Sequence, residues 1–230
     1  MIIRWIGRAD FKSKRRGLWI ALLGPDGVGK SAVIERLEMS NCDGQFGGSA
    51  RFHFRPRFGC DARERSPVTQ PHAQVPRGML ISIFKLLYWL ADCWLGYFFL
   101  VLPALRRSRL VVFDRYLPDL MVDPVRYRLQ PSLMNLAGAI AGLAPRPDLC
   151  ILLDAPASSI QRRKQELSPA ETERQRAAYL QMFEHLPGGL AIDADRSIEQ
   201  VAQNVAAVIL HMLQSPASGA TGLSPCQPTD

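Results

Sequence analysis

Eight consecutive residues, Gly24-Pro25-Asp26-Gly27-Val28-Gly29-Lys30-Ser31, have the types and the spacing to hold phosphate. They fit the pattern G-x-x-x-x-G-K-[ST], in which glycines let the backbone curl until its N–H groups face phosphate oxygens. An apolar run over 18–23 precedes them and Ala32-Val33-Ile34-Glu35-Arg36-Leu37-Glu38 follows. The order is strand, turn, helix, and the helix adds the positive end of its dipole. In this pattern Lys30 reaches the outer phosphates and the Ser31 hydroxyl holds Mg²⁺. Gly24, Asp26, Gly27, Val28, Gly29, Lys30, Ser31 and Ala32 are the expected cradle, and its ligand is a nucleoside triphosphate.

Phosphoryl transfer needs positioning and charge neutralisation more than covalent chemistry. Asp114 ends the apolar run Leu110-Val111-Val112-Phe113 and is followed by Arg115. A carboxylate there, facing the crevice at the carboxyl ends of a parallel sheet, could orient an attacking oxygen, accept its proton or hold metal-bound water. Ser31 and Asp114 are the metal candidates. Arg115 could clamp an acceptor phosphate bidentately. Arg162, Arg163 and Lys164, then Arg174 and Arg176, lie on a predicted helical pair that could close over a triphosphate and supply arginines to the transition state. For any one of these basic residues a solvated helix face is an equally good reading.

At 230 residues the chain is long enough for one α/β domain with a sizeable core. Its 47% hydrophobic and 21% charged residues are ordinary for a globular protein. The net charge of +7 is uneven: Arg4, Arg8, Lys12, Lys14, Arg15 and Arg16 crowd the start, and Arg51, Arg55, Arg57, Arg63 and Arg65 lie past the first helix. Arginine far outnumbers lysine, which favours bidentate binding of phosphate or carboxylate. Cys42, Cys60, Cys93, Cys150 and Cys226 show no metal-ligand spacing. That usage suggests a reducing, cytoplasmic setting. Residues 1–17 contain no continuous apolar core of the kind a secretory signal needs.

Three segments are expected: a basic leader over 1–17, a P-loop domain over 18–214 and a disordered Ser/Pro/Gly-rich tail over 215–230. The leader reads as a frayed end, with peripheral contact to an anionic membrane as the alternative. Ser40 to Gly48 reads as a turn, 51–55 as a second strand and 56–78 as a long surface loop. The stretch 79–102 has the length of a membrane span. Lys85 and Asp92 within it favour a core helix or a homodimer face instead. Strands at 109–116, 148–154 and 189–193 alternate with helices at 132–143, 158–167, 170–183 and 197–213, giving a doubly wound parallel sheet. Nothing points to nucleic acid.

The loop GPDGVGKS, the strand end VVFDRY, the run RPDLCILLDAP and the late IDADRSIEQV, in this order, resemble the thymidylate kinase-like branch of the nucleoside monophosphate kinases. The resemblance implies a P-loop NTPase fold with a five-stranded parallel sheet flanked by helices, a helical lid around 162–176, and ATP with Mg²⁺. It places Asp114 and Arg115 at the acceptor phosphate and Asp193 to Ser197, with Arg196, near the adenine. Gly27 stands where some members carry an arginine, which implies that Arg162, Arg163 or a neighbour in the lid supplies the catalytic guanidinium.

The nucleobase-reading parts depart from that pattern. The arginine-glutamate-proline segment after the second strand is represented only by Phe54-Arg55-Pro56-Arg57. The Ser…Ala-Tyr-Gln run is replaced by residues 117–128. His53, Arg55, Arg57, His72, Arg77, Asp119, Asp123, Arg126 and Arg128 are therefore candidates for the acceptor side, joined to Asp114 and Arg115. The leading expectation is a kinase converting dTMP to dTDP. The rivals are a kinase acting on a sugar, glycan or lipid-linked acceptor in envelope polysaccharide synthesis, and a non-catalytic ATP-binding switch.

Overall fold

Five parallel strands, β1 (Leu18–Leu23), β2 (Ser49–His53), β3 (Leu110–Asp114), β4 (Leu149–Asp154) and β5 (Gly189–Asp193), lie in the order β2-β3-β1-β4-β5. The computed structural model describes residues 17–56 and 78–214, apart from Glu166, His185 and Pro187. Expectations for the basic leader, for Arg57, Arg63, Arg65, His72 and Arg77, and for the tail lie outside those residues.

β1 sits between β3 and β4, and all six of its residues are buried. A strand covered on both faces can be apolar throughout, which is why it reads as a continuous run. Successive side chains still point to opposite faces. Leu18, Ile20 and Leu22 join a core with Val33, Ile34 and Leu37 of α1 (Lys30–Gly44) and Val201, Val205 and Ile209 of α8 (Ile198–Gln214). Trp19, Ala21 and Leu23 join the opposite core. That core includes residues of α2 (Met79–Gly96), α3 (Leu102–Arg106), α4 (Asp119–Val122), α5 (Met134–Leu143) and α7 (Pro169–Glu184). The remaining helix, α6 (Ala157–Arg163), follows β4.

The sequence expectations differ from this fold at element ends. α1 continues through the predicted turn at Ser40 and stops at Gly44, whose φ of 76° is a left-handed helix end that glycine takes without penalty. β2 lies two residues earlier than expected, because Phe54 adopts a φ of 65° and leaves the sheet. Between β3 and Asp123 the chain forms the short helix α4, an element not assigned from the sequence.

The apolar stretch continues from α2 through a π-helical turn, Tyr97–Val101, into α3, a 28-residue helix long and apolar enough to cross a bilayer. One side of it packs on the domain: Ser82, Leu86, Trp89, Asp92, Cys93 and Gly96 are buried. A Cβ at Gly96 would overlap the Pro56 ring at 2.1 Å, so glycine is what lets the helix approach. Asp92 is neutralised by Arg55 inside the fold. The other side exposes Leu80, Phe84, Leu87, Leu95, Phe98 and Phe99. Cys93 and Cys150 are free, buried core residues, as read from their apolar surroundings.

Candidate active site

Parallel strands bring their carboxyl ends to one edge of the sheet, and β1 delivers the glycine loop there. Gly24 takes a φ of 145°, and a Cβ on it would come within 2.5 Å of the Leu153 carbonyl oxygen. Gly29, at a φ of 107°, has open space where a Cβ would project. The loop is thus closely seated on β4 at one end and clear at the other, where α1 begins at Lys30. Lys30 is buried, and its Nζ donates to the carbonyl oxygens of Gly24 and Pro25, both at 2.7 Å. Burial, with Arg115 next in weight, lowers its pKa to about 8.

The pairing of β1 with β3 sets Asp114 opposite Leu22, beside the loop. Ser31 Oγ donates to Asp114 Oδ2 at 3.2 Å, and Arg51 Nη2 donates to the same oxygen at 3.3 Å. His53 Nδ1 lies 3.8 Å from it. Burial alone would raise the Asp114 pKa. The nearby His53 imidazole and the charges of Lys30 and Arg115 outweigh it and hold the carboxyl well below the usual aspartate range. The Ser31–Asp114 contact fits a Mg²⁺ site. Mg²⁺ takes one or two protein oxygens and completes its shell with phosphate and water. No group of three His, Cys, Asp or Glu side chains that could hold a metal ion occurs among the described residues.

Arg115 adopts a φ of 70°, a costly conformation for arginine that the surrounding contacts hold in place. Its Nη1 donates to Asp119 at 2.7 Å and to the Tyr179 hydroxyl at 3.4 Å, and its Nη2 donates to Asp26 Oδ1 in the loop. Asp119 is fully buried and also accepts from the hydroxyls of Tyr127, at 2.8 Å, and Tyr179. Burial would raise its pKa, but Arg115 and the tyrosine hydroxyls keep it lowered. Arg126 Nη2 donates to the other oxygen of Asp26. Asp123 receives the backbone N–H of Arg126 at 3.1 Å and Gln175 Nε2 at 3.1 Å. Arg51, Tyr127, Tyr179 and Gln175 are site residues that sequence reasoning missed. Arg115 and Asp119 pair across four residues, but Arg115 stands ahead of α4 at a positive φ, so no helical spacing marked the ion pair. Nothing local marked the tyrosines or Gln175.

The arginines expected to belong to a lid lie further round the edge. Arg163 Nη1 donates to the carbonyl oxygens of Ala194 at 2.8 Å and Val28 at 3.4 Å, and its Nη2 to that of Arg196 at 3.1 Å. It therefore ties the β5–α8 turn to the loop. Arg196 pairs with Asp193 at 3.0 Å within that turn. Arg162 donates to Ser159 Oγ at 2.7 Å, Arg174 to Glu171 and to the Val122 carbonyl oxygen, and Arg176 bidentately to Asp154 at 2.8 and 3.1 Å. Arg55 turns towards α2, pairing with Asp92 and lying 5.1 Å over the Tyr88 ring. Arg128 is half-buried, and its backbone N–H closes a turn onto Val125. The structure thus brings Asp26, Lys30, Ser31, Asp114, Arg115, His53 and Arg126 together, with Asp123 behind them. It sets Arg55, Arg162 and the Asp193–Arg196 pair to the sides.

No family model matches the chain. A thymidylate kinase from Xanthomonas campestris is 30% identical over 206 residues, spanning 86% of this chain and 85% of its own length. Another, from Leifsonia xyli, is 31% identical over 84% of this chain and 94% of its own. The chain belongs to the thymidylate kinase family. It matches only 58% of the length of a probable thymidylate kinase from Pyrococcus abyssi, at 32% identity. The fold agrees with that of the thymidylate kinase from Candida albicans, with a TM-score of 0.63, 17% identity, and coverage of 87% of this chain and 94% of the other. The α/β sheet of a P-loop NTPase, expected from the loop and the strand–helix alternation, is what the chain forms.

Proposed function

We propose that this thymidylate kinase family member transfers the terminal phosphoryl group of ATP to the phosphate of a nucleoside monophosphate, with dTMP first among acceptors. One observation carries this reading: the phosphate loop, through Lys30 and Ser31, and the strand end Asp114-Arg115 meet at a single carboxylate. A donor site alone would not need an arginine fixed beside it by two carboxylates and a tyrosine. The names of the Xanthomonas and Leifsonia relatives supply the acceptor.

In this reading ATP would lie along the loop, and Ser31 with Asp114 would hold Mg²⁺. The ion would neutralise phosphate charge, and Lys30 would follow the transferred group. The low pKa of Asp114 makes it a poor proton acceptor, and an acceptor phosphate is already an anion that needs no base. Its part is therefore to fix charge and orientation. Arg163, committed to three carbonyl oxygens, would hold the turn that borders the adenine. An ADP-release assay over dTMP, dUMP, other nucleoside monophosphates and sugar phosphates tests the reading. Turnover with dTMP well above the ATPase background is expected. No nucleotide turnover, or turnover with sugar phosphates alone, would overturn it.

The exposed side of α2 and the turn after it, with Phe84 71% and Phe99 60% accessible, is more apolar than a monomer usually leaves uncovered. We propose that a second copy of the chain covers it. Sedimentation should then show a dimer that Phe84→Glu dissociates; a monomer in detergent-free buffer would end this proposal.

A further inference from the structure

Asp26 sits in the phosphate loop with each carboxylate oxygen taken by a different guanidinium, Oδ1 by Arg115 and Oδ2 by Arg126. Two donors that share one carboxylate are spaced for one small oxyanion. A phosphoryl group presents the same kind of paired oxygens. Each guanidinium has a separate carboxylate behind it, although Arg126 Nε faces its carboxylate without a hydrogen bond. Arg115 is held by Asp119, and Arg126 Nε lies 3.4 Å from Asp123, which Gln175 of α7 holds in turn. That support costs the seat none of its charge, because arginine stays protonated. The Arg115 side chain is 5% exposed, and that of Arg126 is 22% exposed, so the seat opens to solvent on the Arg126 side. It also lies next to Lys30, whose charge responds to both Asp26 and Arg115.

We propose that Arg115 and Arg126 form a two-guanidinium seat for the anionic group of the acceptor, and that Asp26 holds the seat while the acceptor is absent. Arg126 is then a binding residue for the acceptor, contributed by the stretch where this chain departs from the family pattern. The reading rests on the phosphotransferase function proposed above and adds the second arginine to it. When the acceptor arrives, its phosphoryl oxygens take the Nη2 donors of both arginines. Asp26 keeps the contacts it can reach at the rim. Asp26, Asp114, Asp119 and Asp123 stand against Lys30, Arg51, Arg115 and Arg126, four charges of each sign. The incoming dianion is thus received by guanidiniums that already have partners behind them.

Arg126→Ala, Arg126→Lys and the unchanged full-length chain decide it by two measurements. The first is steady-state kinetics with whichever nucleoside monophosphate turns over. The KM for that acceptor should rise about ten- to a hundredfold in Arg126→Ala, the worth of one charge-assisted hydrogen bond. The KM for ATP should hold, and Arg126→Lys should recover part of the loss. The second is binding of inorganic sulfate with the loop already filled by MgADP. The wild type should bind it, and Arg126→Ala should lose most of that binding. An unchanged acceptor KM together with unchanged sulfate binding would overturn the proposal. So would a rise in the KM for ATP equal to that for the acceptor, which is the mark of a residue that merely braces the loop. If no nucleotide turns over but sulfate binding still depends on Arg126, the proposed function fails and the seat stands. If dTMP turns over equally well without Arg126, the function stands and the seat fails.

Discussion

Lys30→Ala is expected to lower kcat/KM by about 10³-fold or more, the scale on which a preorganised charge at a transferring phosphoryl group acts. The fold should survive the change. In the wild type Nζ is buried and turned back onto the Gly24 and Pro25 carbonyl oxygens, and its pKa, lowered to about 8, shows that the folded chain holds this charge at a cost. The variant also loses the two hydrogen bonds to Gly24 and Pro25, so its thermal unfolding is the control that separates lost catalysis from a lost fold. The same lowered pKa yields a signature of binding. A triphosphate beside Lys30 restores the ordinary preference for the ammonium form, so at pH 8 binding should take up about half a proton. Titration calorimetry of ATP in buffers of different ionisation enthalpy reads this directly. The uptake should fade as the pH falls towards 6, where the amine is already charged, and should be absent in Lys30→Ala. A variant that keeps a tenth of the activity, or a buffer dependence that persists without the amine, would remove Lys30 from the role given to it.

Asp114→Asn is expected to lower kcat by about a hundredfold or more while ATP binding is retained. The reason lies in its neighbours. Lys30, Arg51, His53 and Arg115 all act on this one carboxylate, and Ser31 donates to it. Neutralising it leaves Lys30, Arg51 and Arg115 without their common counter-charge. The pH dependence of stability has a definite sign. A carboxyl whose folded pKa is depressed stabilises the fold above its ordinary value of 3.8, and this contribution is lost as the pH falls further. The stability gap between wild type and Asp114→Asn should therefore be constant from neutral pH down to about 5 and close below 3.8. A kcat within threefold of the wild type, or a gap that widens on acidification, would show that Asp114 does not act as this charged centre.

How much of this was legible beforehand depends on the range of the interactions. The glycine loop was legible because eight adjacent residues carry both its geometry and its chemistry. Asp114 was legible because a buried parallel strand that ends in a charge must present that charge at the crevice, and β3 pairs with β1 as required. The half-buried helix over 79–106 was harder. Its composition suits a span, a core helix and an interface equally, and only the packing of Leu86, Trp89, Cys93 and Gly96 shows which side faces inward. The basic residues were the least legible. Arg55, Arg126 and Arg163 look alike in sequence, yet one closes on Asp92, one on Asp26 and one on the carbonyl oxygens of the Ala194 turn.

By itself the sequence determined the phosphate loop, the order of strands and helices, and the residues at the carboxyl edge of the sheet, because these follow from local spacing and hydrophobic period. Only the tertiary structure decided which charge meets which. Asp26 lies 89 residues from Arg115 and 100 from Arg126, and Tyr179 reaches Asp119 across 60. No local pattern encodes such pairings. They arise when β1 and β3 are laid side by side and α7 is packed against β4, β5 and α4, which excludes water and makes each buried charge take the partner that the fold has brought within reach.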